Sequence, residues 1–448
     1  MKKIHDPHAV FIASLLGAIT GILVGFVGGL FQIVIHWMGV AQSYIIHSLD
    51  SSLWLKCLIS AFVSTLFLVL SLIIVRRFAP EASGSGVQEI EGVLVDKRSM
   101  RWWKVLPVKF FAGVLSLSSG LVLGREGPTI QMGGALGQMV QKLFRMDNDM
   151  AHILIAAGAG AGLATAFNAP LAGVLFVIEE MHSRFRYSFR SIQAVIIACV
   201  CADIFLRLML EAGGYDIRQM MDIDMTAYGE PSMASLWLFV IFGIAFGGLG
   251  VLFNRYLVRY LNFFSSKSGF DFWKWIVLVG ITTGILLVVF PDIVGGGYHV
   301  IPRALHGDLT LTLLISVFVL RLFTTWTSYG TGVPGGIFAP MLALGTLFGM
   351  FFGILANLLF PDLIPNPQIF AVAGMSALFS ATVSAPLTGI VLVVEMTMNY
   401  ALILPLILTC FSATITAIYF GGTPIYETLL ARTLVLARKK AVYLKKHN

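Results

Sequence analysis

The acidic residue Glu126 lies in a glycine-rich turn, Gly124-Arg125-Glu126-Gly127-Pro128, that interrupts an otherwise apolar stretch. Proline suits the first turn of a helix, where no backbone N–H is needed, and glycine lets the backbone approach a ligand closely. A helix that begins there presents free N–H groups and the positive end of its dipole. The turn therefore predicts a site for an anion that needs no full positive charge.

Two further turns have a related composition. The segment Gly335-Gly336-Ile337-Phe338-Ala339-Pro340 repeats the form, and Gly84-Ser85-Gly86 adds a hydroxyl as a neutral donor. Neutral donors bind an anion weakly enough to release it again. The alternative is that these glycines only allow tight helix packing, but their recurrence in both halves of the chain favours an anion pathway.

The charged residues of the central turn need separate explanations. A fixed carboxylate at Glu126 would repel an anion, so we expect this side chain to compete for an anion position when ionised and to leave when protonated. A salt bridge between Glu126 and a nearby basic residue is the alternative. We expect the side chain of Arg125 to turn away from the anion and to hold the loop through backbone carbonyl groups.

The chain contains an internal repeat, which we recognise from four matches that occur in the same order. Residues of the first half recur after 211, 212, 216 and 216 positions, respectively: Gly84 at Gly295, Gly124 at Gly336, Ala157 at Ala373, and Ala169-Pro170-Leu171 at Ala385-Pro386-Leu387. In a membrane protein such a repeat predicts two half-units, inverted if each crosses the bilayer an odd number of times, with broken helices that meet near the midplane.

The repeat also separates two adjacent carboxylates, Glu179 and Glu180. An offset of 216 gives Glu179 the counterpart Glu395, whereas Glu180 aligns with Met396. A carboxylate found in one half only is less typical of a shared scaffold, so Glu180 is the candidate for a proton-transfer group near the cytoplasmic side. The alternative, that both carboxylates cap a helix end beside Arg184 and Arg186, is equally supported by the residues alone.

Composition sets the environment of these elements. Of the 448 residues 57% are hydrophobic and 12% are charged, about half the share typical of soluble domains. The apolar run from Ala9 to Ile35 is too long for a signal-peptide core and predicts a retained first helix. Basic residues near both ends predict cytoplasmic termini, and we interpret the basic tail as a lipid contact rather than a nucleic-acid site.

These observations predict an all-α polytopic membrane protein that forms a single transmembrane domain over residues 1–448. The first inverted-topology repeat covers about residues 9–215 and the second about residues 230–430, and residues 431–448 form a short basic cytoplasmic tail. We expect no metal and no cofactor, because the histidines and cysteines lack metal-site spacing. A membrane enzyme is disfavoured, because no nucleophile–base pair is recognisable.

The three turns together resemble the CLC family of chloride channels and chloride/proton antiporters. The family pattern G-S-G-I-P-E appears as Gly84-Ser85-Gly86-Val87-Gln88-Glu89, while G-R-E-G-P and G-G-I-F-A-P are complete at 124–128 and 335–340. The segments 101–103 and 106–111 are most similar to the bacterial antiporter branch. The likeness runs from about Ala9 to Thr433.

The resemblance implies a homodimer with one pathway per subunit in a bacterial inner membrane, and it implies roles for matched residues. Glu126 would be the external gating glutamate and Glu180 the internal proton glutamate, with Glu179 as a possible assistant. Chloride, the bound substrate, would contact Ser85, Tyr426 and the amides of Ile337 and Phe338. The selectivity motifs would comprise Gly84, Gly86, Gly124, Arg125, Gly127, Pro128, Gly335, Gly336, Ala339 and Pro340.

Two alternatives remain within the family. Exchange of chloride for protons is favoured over a passive voltage- or pH-gated channel, because family channels generally lack an acid at the position of Glu180. The intact motif around Glu126 argues against a fluoride exporter. One departure is Gln88, which stands where the family usually has proline and which adds an N–H and a side-chain amide to the inner gate.

Overall fold

The computed structural model describes residues 7–48, 52–181, 187–215 and 231–447. This part of the chain forms seventeen α-helices and no β-strand. Their bounds are α1 (Pro7–Ser48), α2 (Leu53–Phe78), α3 (Val87–Leu94), α4 (Trp102–Ser118), α5 (Glu126–Leu143), α6 (Asn148–Phe167), α7 (Pro170–Glu180), α8 (Phe189–Ala212), α9 (Leu236–Ser266), α10 (Gly269–Val289), α11 (Val300–Leu305), α12 (Leu311–Gly330), α13 (Phe338–Leu359), α14 (Gln368–Val383), α15 (Pro386–Thr397), α16 (Ile403–Tyr419) and α17 (Ile425–His447).

Long apolar helices make this a multi-pass membrane protein. Among the described residues, nine helical segments are long and apolar enough to cross a bilayer. Their outward faces carry large apolar side chains such as Phe11 and Phe62, each 67% exposed, which lipid would cover. Helices α3, α7, α11 and α15 have at most twelve residues and are too short to cross alone. They match the predicted broken helices.

The same contacts occur in both halves of the protein. Gly133 of α5 packs against the carbonyl oxygen of Gly158, and a Cβ atom on Gly133 would lie 2.0 Å from that oxygen. In the same way Gly345 of α13 packs against the carbonyl oxygen of Gly374, at 2.1 Å from such a Cβ atom. The repeat offsets of 212 and 216 relate these two pairs. Any larger residue would separate the helices, so these glycines set how closely α5 and α6, and α13 and α14, approach.

The two halves contact each other through equivalent residues. Gly124 and Gly336 form an antiparallel bridge, in which each amide donates to the other's carbonyl oxygen, at 2.8 and 2.7 Å. A contact between equivalent residues that runs both ways is what a twofold axis produces. The chain runs in opposite directions through the two turns. The all-helical fold with two inverted repeats therefore agrees with the prediction.

Some sequence predictions concern residues outside the described part of the chain. They include Lys2 and Lys3, the basic residues Arg184 and Arg186, and the junction between the repeats at 216–230. The basic tail begins inside α17, which runs without interruption from Ile425. Tyr426, one of the predicted anion contacts, therefore lies in the first turn of the helix that carries the tail.

Candidate functional site

The three glycine-rich turns meet at one place and are joined through their backbones. The amide of Gly335 donates to the carbonyl oxygen of Gly84 at 3.1 Å, and Gly124 pairs with Gly336 as described above. Gly335 and Gly336 thus connect the first and second turns of the sequence. Since irregular backbone inside a membrane must find partners within the protein, these hydrogen bonds explain how the turns persist there.

Glu126 begins α5, but its carboxyl group reaches the start of another helix, α13. Its side chain is fully buried, and Oε1 accepts a hydrogen bond from the amide of Ala339 at 3.2 Å. Oε2 is buried without a hydrogen-bond partner among the described residues. Glu126 therefore occupies the N-terminal end of α13, where the free amides and the helix dipole favour a negative charge.

Gly124 and Gly336 make room for this carboxyl group. A Cβ atom on Gly124 would lie 2.2 Å from both carboxyl oxygens of Glu126, and one on Gly336 would lie 2.5 Å from Oε1. Any side chain at either position would displace the carboxyl group. These glycines therefore serve the placement of Glu126 as well as the backbone bridge between the two turns.

The predicted hydroxyl ligands, Ser85 and Tyr426, are both fully buried. Their side chains lie close enough to interact, yet neither hydroxyl makes a hydrogen bond of normal geometry with a described residue. Tyr426 also lies within electrostatic range of Glu126 and Glu180. Buried hydroxyls normally have partners, so two uncommitted ones at the junction of three helix ends indicate a polar binding site.

The remaining motif residues shape the walls of this site. Ile337 precedes the first residue of α13, Phe338, and both are fully buried. The ring of Phe338 stacks on Tyr426 with centroids 6.2 Å apart and contacts Phe379 at 4.5 Å. A Cβ on Gly127 would lie 2.7 Å from Ser85 Oγ, so glycine there leaves space beside the hydroxyl. Pro128 and Pro340 lie in the first turns of α5 and α13, as predicted.

Arg125 turns away from the site, as expected from the sequence. Its Nε donates to the carbonyl oxygen of Ala166 at 3.2 Å, and its guanidinium lies 4.8 Å from the ring centre of Tyr298. The same side chain lines a cavity of about 410 Å³ that also includes Gln32 and His36. This cavity lies beside the turn that carries Glu126.

Two buried cations support the turns, and sequence reasoning missed their role. Lys109 Nζ, fully buried in α4, donates to the carbonyl oxygens of Ala82 and Gly84 at 3.0 and 2.7 Å. Arg321, fully buried in α12, donates to those of Asp292, Val294 and Gly295 at 2.7 to 3.0 Å. The repeat offset of 212 relates Lys109 to Arg321, and this signal could have identified both.

Glu179 and Glu395 cap helices of the opposite repeat. The carboxylate of Glu179 accepts from the amides of Leu387 and Thr388 at the start of α15, at 2.9 and 2.6 Å. Glu395 accepts from the amides of Leu171 and Ala172 at the start of α7, at 3.1 and 2.8 Å. These reciprocal caps give Glu179 a structural role that the sequence suggested only through its counterpart, and its assistance to a proton route remains a prediction.

Glu180 ends α7 and is 7% exposed. Its neighbour Glu179 caps α15, whereas Glu180 lies within electrostatic range of the Tyr426 hydroxyl. The alternative, in which Glu179 and Glu180 cap a helix end beside Arg184 and Arg186, involves basic residues outside the described part of the chain. The structure thus places Glu126 and Glu180 within range of one tyrosine, and the proton-transfer role of Glu180 remains a prediction.

Comparisons with known proteins agree with this geometry. Residues 66–417 match the family model described as voltage gated chloride channel. A relative from Vibrio parahaemolyticus, named H(+)/Cl(-) exchange transporter ClcA, is 47% identical over 95% of this chain and 90% of its own. One of the same name from Salmonella paratyphi A is 45% identical over 97% and 90%, respectively.

A solved structure gives the same result for the fold. The crystal structure of a slow cyanobacterial Cl−/H+ antiporter is similar with a TM-score of 0.89 and 42% sequence identity. The similarity covers 96% of this chain and 99% of the antiporter. The helices and turns described above are therefore shared over nearly the whole length of both chains.

Proposed function

The chain belongs to the family of voltage gated chloride channels, and from that premise we propose that it exchanges chloride for protons across a membrane. The observation that carries the proposal is the position of the Glu126 carboxyl group at the N-terminal end of α13. A negative group already fits there without a full cation. Chloride is favoured at the same position for the same electrostatic reason.

The anion pathway would use neutral donors only. Chloride binds between the hydroxyls of Ser85 and Tyr426 and the backbone amides of Ile337 and Phe338, all of which are buried. Lys109 holds the carbonyl oxygen of Gly84, next to Ser85, so that this oxygen does not face the anion, and Arg321 does the same for Gly295 in the equivalent turn of the second half. Since no lysine or arginine touches the anion directly, binding stays weak enough for release.

Glu126 would couple the two substrates. Its ionised carboxylate and chloride compete for the amides at the start of α13, because both cannot fill one anion position. When a proton neutralises Glu126, the carboxyl group leaves this position and carries the proton outward. Chloride can then pass, so that each proton movement is linked to anion movement.

Glu180 would relay protons between the cytoplasm and Glu126. It lies at the end of α7, within electrostatic range of Tyr426, which is also within range of Glu126. Transient water would complete the path between the two carboxyl groups. We assign Glu179 a lesser part in this route, because its carboxylate already caps α15.

The cellular setting is a further part of the proposal. We propose a homodimer with one pathway per subunit in the bacterial inner membrane, with both termini in the cytoplasm. The chain would form a single transmembrane domain of two repeats, over about residues 9–215 and 230–430, followed by the basic tail at 431–448. The basic residues near both ends support this orientation.

Chloride-driven proton uptake into liposomes tests the proposal directly. Purified protein is reconstituted in vesicles, a chloride gradient is imposed, and the external pH is followed. Exchange predicts that protons move uphill against their own gradient. A passive channel, the second candidate, would conduct chloride without any proton movement, and that result would overturn the proposal of exchange.

A further inference from the structure

Tyr329, in the last turn of α12, contacts the backbone of a proposed anion ligand. The side chain is 2% exposed, and its hydroxyl oxygen accepts a hydrogen bond from the amide of Ser85 at 3.4 Å. The hydroxyl of Tyr329 also lies within electrostatic range of Tyr426. A third hydroxyl therefore lies beside the two that we assign to chloride.

The hydrogen of this phenol is uncommitted. Among the described residues, the Tyr329 hydroxyl accepts from Ser85 and donates to no acceptor. A buried O–H donor without an acceptor is costly and is rare in folded proteins. A halide is a strong acceptor, and a neutral O–H is the kind of donor that the rest of this site offers.

Gln88 borders the same space as the Tyr329 hydroxyl. A Cβ atom on Gly84 would lie 3.5 Å from the Tyr329 oxygen and 3.7 Å from Gln88 Nε2. Gln88 is 8% exposed, and its Oε1 has no hydrogen-bond partner among the described residues. Gly84 has a positive φ of 64°, so a larger residue would be strained there as well as filling the space.

Two basic residues lie near this space. Lys109 Nζ lies 2.7 Å from the Gly84 carbonyl oxygen, and Arg432 of α17 lies within electrostatic range of Tyr329. Neither basic side chain is hydrogen-bonded to the Tyr329 hydroxyl, so neither would hold an anion tightly at that point. The proline that the family usually has in place of Gln88 would offer no side-chain donor here.

We propose that the Tyr329 hydroxyl is a further ligand of the transported anion, on the Gly84 side of Ser85, and that the Gln88 amide is a second donor to the same position. The inference rests on the proposed chloride transport. It adds two side-chain donors to those already assigned to chloride, so chloride is held more tightly at the Gly84 end of the site. Tighter binding there also slows chloride release.

Isothermal titration of chloride into purified full-length protein tests this proposal. Tyr329→Phe removes only the hydroxyl. It should raise the chloride dissociation constant about tenfold, because the binding free energy of one hydrogen bond to a charged group corresponds to a change in affinity of about this size. Gln88→Met keeps the side-chain length without the amide and should raise it severalfold. A chloride affinity equal to or tighter than wild type in both variants would overturn the proposal.

A matched control separates ligand loss from changes in packing. Tyr256 of α9 stacks on Trp326, which lies on α12 with Tyr329, at 4.9 Å between ring centroids. Tyr256→Phe also removes one hydroxyl from a ring packed against α12 and should leave chloride binding unchanged. Equal weakening in Tyr256→Phe and Tyr329→Phe would assign the effect to packing and overturn the proposal. Absence of chloride binding to wild type would instead refute the proposed function.

Discussion

The two repeats share their supports but differ in the groups that can react. Lys109 and Arg321 hold the carbonyl groups of equivalent turns, and Glu179 and Glu395 cap equivalent helices. In contrast, the repeat offsets align Ser85, Glu126 and Glu180 of the first half with Gly296, Phe338 and Met396 of the second.

The residues shared by both halves stabilise the fold, and the residues found in one half line the proposed pathway. Residues present in both halves form hydrogen bonds with backbone groups that the broken helices leave without a partner. Both halves contain such groups. The proposed gate and proton relay come from one half only, and the equivalent position in the other half supplies the helix start that receives the gate. The internal repeat thus separates the charges that cap or hold the backbone in both halves from those to which we assign transport roles.

The largest effect is expected from Glu126, whose counterpart is Phe338. Glu126→Gln removes the titrating group but keeps its size, so proton movement should be abolished while chloride still flows. Simultaneous proton and chloride flux measurements on reconstituted vesicles check this. If coupling persisted at the wild-type level, Glu126 would not be the gate, and the proposed functional difference between the two halves would be wrong.

Glu180→Gln should have the next largest effect. The variant loses a proton-transfer group that has no acidic counterpart in the second half, so proton coupling should fail while chloride transport continues. The same paired flux assay measures both quantities. If the variant still drives protons uphill on a chloride gradient, the proton relay lies elsewhere.

The reciprocal caps should behave as equals. Glu179→Gln and Glu395→Gln each weaken the cap of one helix, so each should lower stability by about 1–2 kcal/mol and leave coupling intact. Thermal unfolding in detergent, together with the flux assay, compares them. Loss of coupling in Glu179→Gln alone would place Glu179 in the proton route and make this pair asymmetric.

The smallest effect is expected from Arg321→Lys, because this variant has a lysine at the position in the second half that is equivalent to Lys109. A lysine can donate to two carbonyl oxygens, as Lys109 does, but it gives up one of the three hydrogen bonds of Arg321. The expected loss of stability is about 1 kcal/mol. A variant that fails to fold would mean that the two cations are not equivalent supports.

Much of this arrangement could be predicted from the sequence because the turns are made of residues with few alternatives. Gly124, Pro128 and Pro340 mark helix starts by backbone chemistry alone, and the offset of Gly336 from Gly124 gave the repeat. The direction of the Arg125 side chain followed from the need to keep a full positive charge off the anion.

Other features depend on contacts that the local sequence does not reveal. Lys109 and Tyr329 sit in apolar helices, where their types alone suggested no role, and their partners are carbonyl and amide groups far away in the chain. The cap formed by Glu179 on α15 joins residues 208 and 209 positions apart. Such pairings are set by tertiary packing.

The proposed exchange requires that Glu126 and the anion compete for the amides at the start of α13. Anomalous diffraction from bromide-soaked crystals of wild type and Glu126→Gln tests it most directly. We expect a bromide peak beside the amides of Phe338 and Ala339 in the variant, at the position that the carboxyl group fills in wild type. A variant in which bromide binds only elsewhere, and never beside the amides of Phe338 and Ala339, would contradict it.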